Sequence, residues 1–84
     1  MNQSERLPEN ASVLDRLVKF QKITDLLRTE NIFLKEVSGG CPILEDKSCG
    51  FVLTHNLITW EVYPVQEVAD MIIKARNSYI ERKA

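Results

Sequence analysis

Histidine occurs once in these 84 residues and cysteine twice, and nowhere do the ~18 consecutive apolar residues of a membrane span occur. Each scarcity excludes something. A structural zinc takes four ligands, usually Cys and His in paired short spacings. Cys41 and Cys49 have seven residues between them and His55 lies beyond, so closing a shell would draw in Glu45 or Asp46, an uncommon set. A Cys-x-x-Cys redox pair is missing. Cys41 has no histidine or helix start beside it to favour a reactive thiolate. No serine or cysteine shares a catalytic motif with His55. The chain therefore reads as a non-enzyme, with no metal and no cofactor.

A basic excess is also missing. Eleven basic residues stand against twelve acidic ones, a net charge of -1, whereas nucleic-acid-binding domains usually carry a clear cationic surplus. Neither a glycine-rich phosphate loop nor an exposed aromatic platform makes up for it. The opening MNQSERLPEN is polar, with no apolar run behind a cationic start, so no secretory signal is expected. Two cysteines without an export signal point to the reducing cytoplasm and to free thiols.

What is present is ordinary globular material: 44% hydrophobic and 27% charged residues, which favours an ordered chain over a disordered one. The length suits one domain with a modest core. Residues 1–10 read as a flexible N-terminal arm, and residues 11–84 as a single α+β domain. A first helix is expected from Ser12, with Asp15 three residues on completing an approximate capping box, to about Thr29. IFLKEV reads as a strand stopped by Ser38-Gly39-Gly40, and Cys41–Cys49 as a connecting loop. GFVLTHNLITWEVYP reads as a hairpin turning at His55-Asn56, which would leave His55 exposed at its tip. That register opposes Phe51 to Trp60 and gathers Phe51, Leu53, Ile58, Trp60 and Val62 on one face. Pro64 then opens a second helix with an apolar stripe through Val65, Val68, Ala69, Ile72, Ala75, Tyr79 and Ile80. The expected order is α-β-β-β-α: an antiparallel three-stranded sheet with two helices packed on one face.

The first helix carries more apolar residues than one stripe can bury. Val13, Leu14, Leu17 and Val18 centre on one side, and Phe20, Ile23, Leu26 and Leu27 roughly 140° away at 100° per residue. The surplus implies a partner surface, placed on the side of Leu26, with Val18, Lys19, Lys22, Ile23 and Leu26 as its residues. Arg76 joins them because its helical angle falls inside the apolar arc of the second helix; alternatively it pairs with Glu36 or Glu61. The expected function is a small binding module working by protein–protein contact in a regulatory, adaptor or inhibitor role, a homodimer being one form of it. The alternative is nucleic-acid association through Arg16, Lys19, Lys22 and Arg28. Glu67 and Asp70 at the start of the second helix would repel a phosphate backbone.

Overall fold

The computed structural model describes residues 12–83; the expected arm at residues 1–10 lies outside them. Within them the order is α1 (Val13–Arg28), β1 (Phe33–Ser38), β2 (Cys41–Asp46), β3 (Phe51–Thr54), α2 (Leu57–Val62) and α3 (Val65–Lys83). The domain is α+β, with one antiparallel sheet of strand order β1-β2-β3. None of the described helices is long and apolar enough to cross a membrane.

Local chemistry sets most boundaries. Ser12 caps α1: its Oγ accepts from the Asp15 N–H at 3.1 Å while the Asp15 carboxylate accepts from the Ser12 N–H at 3.4 Å. This is the reciprocal capping box, with Asp standing in for Glu. Gly39 and Gly40, at φ 59° and 76°, make the two-residue turn that joins β1 to β2. Both positions need left-handed backbone, which glycine adopts without steric penalty. At the other end of β2 the Asp46 carboxylate accepts from the Ser48 N–H and Oγ–H, closing the turn into β3.

Two expectations about this region are corrected. The Cys41–Cys49 segment is no loop, since its first six residues form the central strand. Pro42 and the acidic pair argue against a central strand, because proline cannot donate to a ladder. Here the Pro42 carbonyl accepts from the His55 N–H at 2.9 Å, just past the end of β3. The missing N–H therefore points where the ladder has already stopped. The second correction concerns the hairpin at His55-Asn56. Phe51–Thr54 pairs backwards with β2, and Leu57–Val62 is a short helix. Asn56 decides this by capping: its Oδ1 accepts from the Ile58 N–H at 2.8 Å.

The core lies between the inner face of the sheet and the helices. Leu44 and Phe51 meet Ile23 and Leu27 of α1, Ile32 behind it, Trp60 of α2, and Val65, Val68, Ala69 and Ile72 of α3. Trp60 is buried as the sequence suggests, but its ring partner is Phe20, at 4.9 Å between centroids, and not Phe51. Phe51 stacks instead on Tyr79, at 5.8 Å.

Candidate functional site

The apolar surplus of α1 is real, and it faces outward on the side opposite to the one expected. Ile23 and Leu27 have no exposed surface, and Phe20 and Leu26 pack against the core. Val13, Leu14, Leu17 and Val18 are 72%, 69%, 59% and 46% exposed. The helix lays its C-terminal half on the core and extends its N-terminal half past it.

Beneath that overhang lies a groove of about 450 Å³. Its apolar walls are Val13, Leu17 and Phe20 of α1, Val37 near the end of β1, and Leu57 and Trp60 of α2. Arg16, Lys19 and Glu61 complete the lining. Lys19 is buried, and its Nζ donates to the Glu61 carbonyl at 2.9 Å. The Arg16 guanidinium reaches the Glu61 carboxylate at 3.5 Å. These two cations tie α1 to α2 beside the groove.

His55 stands behind the α2 wall. It continues the inward alternation of Phe51 and Leu53, and the Trp60 indole N–H donates to its Nδ1 at 2.7 Å. It is half-buried rather than exposed at a tip, and loss of solvent lowers its pKa below the ordinary 6.5.

A second polar cluster sits inside the fold. The Arg76 guanidinium donates to the Asp46 carboxylate at 2.7 Å, to the Glu30 carbonyl at 2.7 Å, and to the Glu30 carboxylate at 2.9 Å. Asp46 also accepts from Ser48 and from the Asn31 amide. The Ser48 hydroxyl, with Arg76 behind it, holds the Asp46 carboxyl below its ordinary value of 3.8 against the opposing effect of burial. Every donor and acceptor of the cluster is matched, which is the arrangement of a structural tie between the α1–β1 turn, β2 and α3.

The residues expected at a partner surface therefore separate. Val18 and Lys22 are exposed on α1. Lys19 is buried but lines the groove. Ile23 is core, with no surface to offer, and Leu26 packs against the core beside it. Arg76 is buried against Asp46, reaches the exposed Glu30, and meets neither Glu36 nor Glu61. Of the residues expected at a partner surface only Lys19 lines the groove; the groove's apolar lining, Val13, Leu17, Phe20, Val37, Leu57 and Trp60, was missed. Periodicity separated the two apolar sets of α1 correctly but carries no information on which one the sheet covers.

Cys41 and Cys49 are free thiols, the first opening β2 and the second in the turn beyond its other end. Six residues of strand set them roughly 17 Å apart, beyond the ~7 Å between Cα atoms that a disulfide spans. Among the described residues no three His, Cys, Asp or Glu side chains gather as a metal site. No family model, curated protein or solved structure matches this chain.

Proposed function

We propose that this chain is a protein-binding module of regulatory, adaptor or inhibitor type, acting by contact without catalysis, and that its groove receives an apolar-faced helix of another protein in the cytoplasm. The observation that carries the reading is the groove itself. Val13, Leu17, Phe20, Val37, Leu57 and Trp60 line it, and the charged members of its lining are engaged with one another. A preformed apolar channel beside a helix is the receptor half of helix-in-groove recognition.

Area argues for a foreign helix over a flat contact between two copies. The exposed aliphatic residues on this side, chiefly Val13, Leu14, Leu17, Val18 and Val37, are few against the ~800 Å² per partner of a standard stable interface. A flat dimer through α1 would fall short. A helix sunk into the groove also covers the walls, and so gains area that a flat contact cannot. The nucleic-acid reading finds less support, because Arg16, Lys19 and Arg28 are held by Glu61 and Asp25. Two thiols too far apart to pair fit a reducing compartment.

The test places a photo-crosslinking residue at Leu17 in the full chain and maps what it captures. The expected product is a segment of another protein with apolar residues at helical spacing. Leu17→Glu should lower affinity for that protein roughly 10- to 100-fold, the worth of one buried leucine, and leave stability within ~0.5 kcal/mol because the position is exposed. Crosslinks back to the same sequence, or to nucleic acid, would overturn the reading. So would undiminished binding by Leu17→Glu.

A further inference from the structure

The only tryptophan in the chain donates its indole N–H to the only histidine. For His55 Nδ1 to accept that bond at 2.7 Å its lone pair must be free, so the neutral ring carries its proton on Nε2. Protonating the imidazole places an N–H on Nδ1, facing another N–H. The bond cannot survive that change, since both groups are then donors. The two rings stay near each other, with centroids 6.4 Å apart, so Trp60 must move or lose its partner.

What Trp60 holds gives this a consequence. It is the one buried residue of α2, a six-residue helix too short to persist alone. The same helix contributes Leu57, Trp60 and Glu61 to the groove. We infer that His55 and Trp60 form a proton-operated latch: with His55 neutral the indole is fixed and α2 stands as the groove wall, and protonation releases that wall. The regulatory meaning of the latch rests on the binding role proposed above; the latch itself does not.

Among the described residues no ion pair stabilises a proton on His55. From α2 the nearest charged residue in sequence to Trp60 is Glu61, already engaged by Lys19 and Arg16 of α1. From β2 the titratable neighbour is Cys41, next to Pro42, while Glu45 and Asp46 pair with Val52 and Phe51 towards the far end of β3. β3 itself, FVLT, carries no charge. The charged residues of β1, Lys35 and Glu36, are exposed. Of the buried residues of α3 only Arg76 is charged, and Asp46 and Glu30 hold it. Loss of solvent alone accounts for the lowered pKa of His55, so the neutral ring is the form that the fold favours.

Because both rings are unique, one experiment reads both halves of the latch in the unmodified chain. The Trp60 indole N–H, the His55 ring protons and the methyl groups of Leu57 and Val37 are followed by NMR from pH 8 to pH 5 with no partner present. The expected result is one shared midpoint below 6.5, with indole N–H exchange against solvent rising roughly fivefold on the acid side, the effect of one lost hydrogen bond. In His55→Gln, whose amide oxygen accepts the bond without titrating, the Trp60 and Leu57 signals should stay fixed. The inference is overturned if His55 titrates while the Trp60 indole or the groove methyls stay still, or if the midpoint lies at or above 6.5. It is equally overturned if His55→Gln responds like the parent. Should His55→Gln fail to fold, the parent titration decides alone. Since no partner is added, failure here leaves the groove as a binding site, and failure of the crosslinking test leaves the latch.

Discussion

Arg76 and Asp46 show how one buried charge depends on the other. Their side chains are 10% and 2% exposed, so each would be costly to leave alone in the interior. Removing one partner of such a pair typically costs ~3–5 kcal/mol, whereas replacing both by apolar groups recovers much of that loss. Arg76→Met should therefore lower the urea midpoint strongly, and Arg76→Met combined with Asp46→Leu should be more stable than Arg76→Met alone. Full recovery is not expected, because Asp46 also closes the turn through Ser48. An unchanged midpoint in Arg76→Met would show that the cluster contributes nothing to stability. Half of this was legible beforehand. The helical angle of Arg76 marked it as a charge inside an apolar arc, but its acceptors lie 30 and 46 positions away in sequence. Long-range pairing of that kind leaves no periodic trace, and Glu36 and Glu61 were equally plausible carboxylates on composition alone.

At the level of elements, α2 is the most instructive misreading. LITWEV alternates well enough for a strand, and over six residues period 2 and period 3.6 are hard to separate. Capping decides in favour of the helix. Asn56 supplies the acceptor for the Ile58 N–H, and Tyr63 with Pro64 ends the turn before α3 begins. Asn56→Ala should cost about 1 kcal/mol, and Asn56→Asp nearly nothing, because Asp caps as well as Asn. Thermal unfolding followed by Trp60 emission checks this; equal losses in the two variants would remove the cap from the account. The signal for the true hairpin was also in view. Ser38-Gly39-Gly40-Cys41 is a two-residue glycine turn between apolar runs, and Pro42 immediately after it concealed the strand that follows. By contrast, the capping box of α1 and the α3 stripe from Val65 to Ile72 were readable, because local hydrogen bonding and a long period specify them without reference to distant residues, whereas Ile80 at the end of that stripe is exposed.

At the scale of the whole molecule, His55 and Asp46 both bear on the response to acid, and they act in the same direction. His55 has its pKa lowered from 6.5, so the folded chain binds fewer protons than the unfolded one as pH drops through that range. Asp46 has its pKa lowered from 3.8, with the same sign. By linkage, stability is complete above 6.5, declines as pH falls below it, and declines again below 3.8. Urea midpoints measured from pH 8 to pH 3 should trace these two steps, and a rise on acidification would contradict both. A last consequence follows from Arg76 lying so late in a chain whose acceptors lie so early. Among the described residues Asp46 is ion-paired only by a residue 30 positions later in the chain, so its buried carboxylate has that partner only once α3 is in place. Domains close as units once their parts are present. Ile23, Leu27 and Leu44 share their core with residues of that same late helix, so the core is complete only when it docks.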